Sequence, residues 1–240
     1  MGAPRFYVKG LQAGVVRLDE READHARRSR RLSAGDEVAL FDGLGREARG
    51  RIASAGRGAV DVAVESLRLC PRAEPALTLA AALPKGPRQD FLVEKCAELG
   101  VAGIVPLVTR RSVSNASGHR LDRWRRTAIE AAKQSGQAWI PDLATPELLD
   151  EAVRRIRVHD RAWVAMPGGS WPEVPDCGTL LAFVGPEGGW ADDEIALLLE
   201  HGCAGVSLGP NVLRIETAAI ALAALVHAAR KPARWEEANP

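Results

Sequence analysis

Three segments rich in glycine and proline stand close together in the second half of the sequence, at 166–169, 185–189 and 209–211. Each follows an apolar run that is typical of a buried strand, so each is predicted to lie at the carboxyl end of a strand. Ligands of parallel α/β sheets bind beyond those ends, where glycine lets the backbone approach closely. A single segment of this kind is also consistent with a tight turn. Three together favour a pocket lined by backbone amide and carbonyl groups.

The motifs of several common ligand sites are absent from the sequence. There is no Gly-x4-Gly-Lys-Ser/Thr phosphate loop, no Gly-x-Gly-x-x-Gly between a strand and a helix, and no Gly-x-Ser-x-Gly elbow. The five histidines show no metal-ligand spacing, and the cysteines at 70, 96, 177 and 203 indicate neither a zinc ribbon nor a disulfide framework. We therefore expect no metal, and a small cofactor that carries little phosphate charge.

A cluster of arginines near the N-terminus indicates a polyanionic partner. Four of the five residues from 27 to 31 are arginine, and residues 1–126 carry 23 Lys and Arg against 15 Asp and Glu. Arg28 and Arg31 are expected to share a helical face because they are three residues apart. Nucleic acid is the commonest polyanion, although a solvated basic surface without a partner is equally consistent with charge alone.

The pattern along the chain predicts a small β-barrel domain at 1–70, a proline-rich linker at 71–76 and an α/β domain at 77–240. In the first domain, β-type runs at 5–8, 15–18, 37–41 and 60–64 are separated by glycine-rich turns, with one helix at about 20–31. In the second, strands and helices alternate, which is typical of a parallel sheet covered on both faces. Its predicted strands are 77–83, 101–108, 161–166, 179–184 and 205–208, and its predicted helices are 90–99, 121–134, 147–157, 192–200 and 216–230.

Two motifs give the sequence a specific resemblance. Gly185-Pro186-Glu187-Gly188-Gly189 and the run Leu208-Gly209-Pro210-Asn211-Val212-Leu213-Arg214-Ile215-Glu216-Thr217-Ala218 resemble the cofactor loops of the 16S rRNA uracil-N3 methyltransferase family. The resemblance extends over nearly the whole chain and also includes Pro4-Arg5-Phe6-Tyr7, Glu98-Leu99-Gly100-Val101, Glu130-Ala131-Ala132 and Ile140-Pro141. This family belongs to the SPOUT superfamily of knotted RNA methyltransferases.

The resemblance implies a fold and a cofactor. The fold is a SPOUT-type, trefoil-knotted, parallel-sheet α/β methyltransferase domain preceded by a PUA-like β-barrel that binds RNA. The knot comes from the family, since chains do not in general thread their own loops. The cofactor is S-adenosylmethionine, and the expected cofactor-binding residues are Ala165, Met166, Pro167, Val184, Gly185, Pro186, Glu187, Gly188, Leu208, Gly209, Val212, Leu213 and Thr217.

The implied reaction is methylation of N3 of a uridine in 16S rRNA, uridine 1498 in the family, on the 30S subunit. Because N3 of uracil carries a proton, the site needs a base or a cation that stabilises the anion. The candidate catalytic residues are Arg214, Glu216, Gln134 and Glu130, although Arg214 and Glu216 are also consistent with a helix start. The candidate RNA-binding residues are Arg5, Tyr7, His25, Arg28, Arg31, Lys85, Arg88 and Arg111.

Four positions depart from the family pattern. The family usually has Arg where Asn211 stands, Thr where Ile215 stands, and Ser or Thr where Ala191 stands, and it often has Arg where Gln137 stands. The first two changes remove a cation and a hydroxyl beside the expected pocket. The third removes an N-cap, and we expect Asp192 to take over that role.

Composition and hydropathy describe a globular protein with no membrane partner. The chain has 240 residues, 46% apolar and 26% charged, and its longest apolar stretch, 217–229, is shorter than the roughly 20 residues that a bilayer requires. We expect a cytoplasmic protein and, from the resemblance, a homodimer. Two other functions stay open: a knotted methyltransferase that acts on another RNA, and a non-catalytic RNA-binding factor of ribosome assembly.

Overall fold

The computed structural model describes residues 3–56, 59–112 and 118–230, so the predicted domain ends at 1 and 240 lie outside the described residues. The chain divides into two compact units, Met1–Arg72 with Ile129–Ile140, and Ala73–Ala128 with Pro141–Pro240. The first unit therefore includes a short segment from the middle of the chain.

The first unit is built on a five-stranded sheet. Its strands are β1 (Arg5–Tyr7), β2 (Gly14–Arg17), β3 (Glu37–Phe41), β4 (Arg46–Ala55) and β5 (Val60–Leu69), and they pair in the order β1-β3-β4-β5-β2. Apart from the parallel pair β1–β3, all of these pairs are antiparallel. One face packs a core that includes Phe6, Leu40, Ile52 and Val62. The sequence did not predict β4, because its many arginines and alanines give it weak β propensity.

The arginine cluster is not one regular helix. Helix α1 (Glu20–Asp24) begins at Asp19, whose carboxylate accepts a hydrogen bond from the amide of Glu22 at 2.8 Å. The chain then forms a single wide turn of π-helix at His25–Ser29, and Arg31 has a φ of 54°, in the left-handed region. The prediction that Arg28 and Arg31 share a helical face is therefore wrong, because the helix ends before Arg31.

A buried carboxylate on β4, that of Glu47, contacts three other polar side chains of the first unit. Glu47 binds Arg5 at 2.6 Å and Arg68 at 2.7 Å, and it accepts a hydrogen bond from the Cys70 thiol at 3.1 Å. Burial acts to raise the pKa of Glu47, but the bonds from Cys70 and Arg68 and the charge of Arg5 hold that pKa below its usual 4.5. Burial and the Glu47 carboxylate raise the pKa of the Cys70 thiol to about 11.

The second unit is a parallel sheet with helices, as predicted. Its strands are β6 (Ala76–Ala82), β7 (Gly103–Val108), β8 (Asp142–Leu143), β9 (Glu147–Leu148), β10 (Arg161–Ser170), β11 (Thr179–Val184) and β12 (Ala204–Val206). They pair in the order β12-β10-β11-β6-β7-β8, with β9 also on β7, and every pair is parallel. The remaining helices of the chain are α2 (Arg88–Glu98), α3 (Gly118–Ser135), α4 (Leu149–Ala152), α5 (Asp192–Glu200) and α6 (Ile215–Ala229).

Two elements of the second unit differ from the prediction. The helix predicted at 147–157 starts as strand β9, continues as one turn of α4 and ends as a 3₁₀ helix at Val153–Val158. The strand predicted at 161–166 continues to Ser170. The other predicted elements of this unit are present within three residues of their expected ends, with the largest difference at the start of the helix predicted at 121–134, which begins at Gly118.

Candidate functional site

The three glycine- and proline-rich segments surround one cavity at the carboxyl edge of the parallel sheet. The cavity has a volume of about 550 Å³, which is in the range of small-molecule sites. It is lined by Ala165, Met166, Pro167, Gly168, Val184, Gly185, Pro186, Glu187, Gly189, Trp190, Ile195, Val206, Ser207, Leu208, Gly209, Pro210, Asn211, Val212, Leu213, Ile215 and Ala218. Among these lining residues Glu187 is the one with a charged side chain.

Eleven of the thirteen residues predicted to bind a cofactor line this cavity, and Gly188 and Thr217 do not. Ten further lining residues were missed. Some, such as Pro210 and Asn211, lie inside the predicted loops and could have been included. Ile215 and Ala218 are three residues apart at the start of α6, a spacing that places both on one helical face.

The first segment of the cavity wall is a bulge inside β10, not a turn after it. Both ends of the segment pair with β12, because Ala165 and Ser170 are each opposite Val206. A Cβ atom at Gly169 would lie 2.6 Å from the carbonyl carbon of Val206, and Gly168 has a φ of 76°. The prediction that the strand ends at Met166 is wrong, because these glycines let the extra residues loop out while the strand resumes.

The second segment is held against the first by a tryptophan. The indole N–H of Trp190 donates to the carbonyl of Ala165 at 3.0 Å, and the residue as a whole is 8% exposed. A Cβ atom at Gly185 would lie 2.8 Å from Cε2 of that ring. Gly185 is therefore required by the tryptophan that packs behind the loop, and the amide of Gly189 closes the turn by donating to the carbonyl of Pro186 at 2.8 Å.

The loop after β7 is bonded to this second segment. Arg111 donates from Nη1 to the carbonyl of Gly188 at 2.9 Å and to that of Trp190 at 3.2 Å. The buried carboxylate of Glu194 accepts hydrogen bonds from the amides of Arg110 and Ala191, at 2.8 and 2.9 Å. Helix α5 thus begins with Ala191 at its N-cap position. The prediction of an Asp192 N-cap is wrong, because Glu194 reaches back to bind the free amide instead.

The third segment is the most exposed part of the wall. The hydroxyl of Ser207 donates to the carbonyl of Gly209 at 3.1 Å, and Gly209 has a φ of 123° that favours glycine. The side chain of Val212 is 91% exposed, whereas Leu213 is half-buried. Helix α6 begins directly afterwards, with Arg214 as its N-cap residue.

The four candidate catalytic residues are divided between the two units. In the second unit Arg214 is exposed, and the buried carboxylate of Glu216 is 3.5 Å from Nε of Arg88. In the first unit Gln134 is exposed, and the carboxylate of Glu130 pairs with Arg21 at 3.0 Å and with Lys133 at 3.5 Å. The structure thus brings together Glu216 and Arg88, two residues for which different roles were predicted.

The candidate RNA-binding residues of the first unit differ in how available they are. Arg5 is enclosed, because its guanidinium binds Glu47, donates to the carbonyl of Gln137 at 2.7 Å and lies 4.5 Å from the centre of the Phe41 ring. Two aromatic residues, Tyr7 and His25, are half-buried against Phe41 and Phe6 respectively. Two others, Arg28 and Arg31, are exposed.

In the second unit, Lys85 and Arg88 are exposed at the start of α2, and Arg111 is bonded to the second wall segment. Among residues 3–56, 59–112 and 118–230, no three His, Cys, Asp or Glu side chains are grouped so that they could hold a metal ion. Within the same ranges, no helix has the length and apolar character needed to cross a membrane.

Both units match known family models. Residues 72–227 match an RNA methyltransferase domain, and residues 18–65 match the PUA domain of RNA methyltransferases. The predicted fold class, a parallel-sheet α/β methyltransferase domain preceded by a PUA-like domain, is thereby confirmed.

Whole-length relatives agree with these matches. The ribosomal RNA small subunit methyltransferase E of Mycobacterium tuberculosis is 36% identical over 94% of this chain and 92% of its own length. A methyltransferase of Legionella pneumophila, solved in complex with bound S-adenosylmethionine, is 33% identical, with a TM-score of 0.84 over 95% of this chain and 98% of its own. The ribosomal RNA small subunit methyltransferase E of Neisseria gonorrhoeae, bound to S-adenosyl methionine, is 27% identical, with a TM-score of 0.85 over the same shares. With these matches along nearly its entire length, the chain belongs to the ribosomal RNA small subunit methyltransferase E family.

Proposed function

We propose that this protein methylates N3 of a uridine in 16S rRNA, with S-adenosylmethionine as the methyl donor. The observation that carries the proposal is the chemistry of the cavity wall. Backbone groups and apolar side chains form it, Glu187 gives it one negative charge, and none of its residues is a cation. Such a wall suits a positively charged nucleoside without phosphates, because a phosphate ligand would call for cationic side chains.

The residues present fit that cofactor. Backbone amides and carbonyls of 184–188 and 208–213 are available for the edge of an adenine ring, and apolar side chains such as Leu213 can cover its faces. The carboxylate of Glu187 can accept hydrogen bonds from the ribose hydroxyls or face the positive charge of the sulfonium. When bound, S-adenosylmethionine supplies an electrophilic methyl group. The Legionella and Neisseria structures, both of which contain this cofactor, support the assignment.

The protein's own task in the reaction is to make uracil N3 a nucleophile. That nitrogen carries a proton, so the site must remove the proton or stabilise the anion at O2 or O4. We assign the cationic role to Arg214, beside the third wall segment, and to Arg88, whose guanidinium is held by Glu216. Glu216 is thus a positioning residue in this proposal. Glu130 is kept as a further candidate for the proton acceptor, and Gln134, whose side-chain amide is not a base, as a candidate hydrogen-bond donor to O2 or O4.

The reaction is tested by methyl transfer from tritiated S-adenosylmethionine to three substrates: 30S subunits, naked 16S rRNA and tRNA. We expect one uridine to be labelled at N3, that of the family target, and only in the 30S subunit. Labelling of tRNA alone would contradict the proposal that 16S rRNA is the substrate. RNA binding without any methyl transfer or cofactor binding would instead support the non-catalytic assembly factor.

We propose that the first domain, residues 1–70, binds the RNA through Arg28 and Arg31. Their exposure supports this role, and the enclosed guanidinium of Arg5 makes it the weaker candidate. Replacing Arg28 and Arg31 together with alanine should weaken RNA binding. It should also make the slope of log affinity against log salt concentration shallower by about 1.5, since each phosphate contact contributes about 0.7–0.9 to that slope.

A matched control for this experiment removes two other exposed arginines of the same unit. Arg17 and Arg49 lie on β2 and β4, so their double alanine variant loses the same charge. We expect this control to keep most of the RNA affinity. Equal losses in the two double variants would show that Arg28 and Arg31 form no specific contact.

We also propose a cytoplasmic, knotted homodimer. Helix α6 buries Ile215, Ala219 and Leu222, whereas Thr217 and Ala224 on its other side are exposed and small. Close approach of a second helix is easiest over small residues, which supports this face as the contact between subunits. Light scattering coupled to size exclusion should give twice the 25.7 kDa mass of one chain. A monomer at micromolar concentration would contradict the dimer.

A further inference from the structure

The role of Arg111 is better explained by the backbone that it binds than by contact with RNA. Its Nη1 group donates to two carbonyls, those of Gly188 at 2.9 Å and Trp190 at 3.2 Å. These carbonyls stand on either side of Gly189, where φ is 71° and the loop reverses. Arg111 therefore fixes both arms of one turn, although its own side chain does not line the cavity.

The turn that Arg111 fixes also determines the shape of the cavity. Gly185, Pro186, Glu187 and Gly189 line the wall on one side of the turn, and the Trp190 indole bonds the turn to Ala165 in the first wall segment. The approach of Arg111 is close, because a Cβ atom at Gly188 would lie 3.2 Å from the Cβ of Arg111. A change in the Arg111 contacts would thus be transmitted to two of the three wall segments.

We infer that Arg111 is a positioning residue for the methyl donor, acting through the 185–190 turn. This inference rests on the proposed function, since it assumes that S-adenosylmethionine occupies the cavity. Two N–H groups on one planar guanidinium nitrogen can serve both carbonyls at once, whereas the ammonium of lysine is a compact charge on a flexible stem. The sequence pattern predicted an RNA contact at this position, and the two roles give different results when the side chain is changed.

The backbone around Arg111 is anchored independently of its side chain. The backbone amide of Thr109 donates a hydrogen bond to the Ser112 hydroxyl at 2.9 Å, a contact that does not involve the Arg111 side chain. The amide of Arg110 donates to Glu194 at 2.8 Å. Substitution of the Arg111 side chain is therefore expected to leave the loop after β7 in place and the protein folded.

The experiment compares Arg111→Lys and Arg111→Gln with Arg110→Lys as the matched control. Arg110 is the adjacent residue, and its exposed guanidinium pairs with Asp193 on the protein surface. For each protein, calorimetry gives the Kd for S-adenosylmethionine, filter binding at several salt concentrations gives the RNA affinity and its salt slope, and thermal unfolding gives Tm.

We expect both Arg111 variants to bind S-adenosylmethionine about tenfold more weakly, since hydrogen bonds from a charged donor are lost. Their KM for the cofactor should rise while kcat at saturating cofactor is largely kept, and Tm, RNA affinity and salt slope should match those of Arg110→Lys.

A salt slope lower by about 0.7–0.9 in Arg111→Gln, with cofactor affinity unchanged, would show an RNA contact and overturn the inference. A fall in kcat with no change in KM would also overturn it. No saturable binding to the wild-type protein would instead refute the proposed function itself, so the two failures are distinguishable.

Discussion

Replacing Gly185 with alanine tests whether the tryptophan behind the second wall segment determines cofactor binding. The added Cβ atom would lie 2.8 Å from Cε2 and 2.9 Å from Nε1 of Trp190, closer than side chains normally approach. The buried indole cannot move away without lengthening its 3.0 Å hydrogen bond to the carbonyl of Ala165. The strain should therefore appear where the first two wall segments meet.

The size of the effect follows from two contributions. Overpacking of a well-packed site costs about 1–3 kcal/mol, and loss of a hydrogen bond costs about 1 kcal/mol. At the lower end the total is about 2 kcal/mol, which corresponds to roughly a 30-fold rise in the Kd for S-adenosylmethionine if the bound state carries the strain. Calorimetry measures this Kd directly, and thermal unfolding shows whether the variant is folded.

A glycine outside the cavity provides the control for this variant. Among the described residues, a Cβ atom at Gly56 would meet the carbonyl oxygen of Ala59 alone, at 4.0 Å, so Gly56→Ala introduces the same methyl group without a clash there. We expect it to bind the cofactor like the wild type. A folded Gly185→Ala protein with wild-type cofactor affinity would refute the reasoning, because the loop would then tolerate displacement of the indole.

Three further predictions concern stability and reactivity. The Glu47 carboxyl has a lowered pKa in the folded state, so its stabilisation is present above its ordinary pKa of 4.5 and is lost as pH falls through the folded value. Glu47→Gln should flatten the decline of the free energy of unfolding between about pH 5 and pH 3, and an unchanged decline would contradict this. Burial raises the thiol pKa of Cys96 and Cys203 to about 12, so iodoacetamide at pH 8 should label the exposed Cys177 first, as peptide mass spectrometry can show. Earlier labelling of either buried thiol would contradict that assignment. Gly169→Ala should lower Tm by roughly 5 °C or more without any ligand, because its Cβ atom would meet the backbone of β12, and an unchanged Tm would show that the bulge can relax.

The sequence predicted the site better than it predicted how the site is held together. Glycine and proline have strong local preferences, so their positions at 185–189 and 209–211 located the cavity wall without knowledge of the fold. The indole of Trp190 and the guanidinium of Arg111 act through contacts with residues distant in sequence. No local sequence pattern predicts such contacts. From the sequence alone, a tryptophan or an arginine at these positions is equally consistent with a buried and with an exposed side chain.

The same distinction applies to the fold. The apolar runs of β6 and β11 predicted a buried parallel sheet because burial on both faces leaves a continuous apolar pattern. The bulge of β10 was predicted as a turn, since proline and glycine, as at Pro167 and Gly168, occur both in turns after strands and in bulges within them. The π-turn at His25–Ser29 and the inclusion of Ile129–Ile140 in the first unit depend on tertiary packing, which overrides local propensity.

A crystal structure of the protein grown with saturating S-adenosylmethionine tests the central claim most directly. We predict density for one molecule of the nucleoside within the cavity, with its adenine edge bonded to backbone groups of 208–213 and its sulfonium near Glu187. A cavity that stays empty at saturating ligand, or a nucleoside bound elsewhere on the chain, would contradict the account.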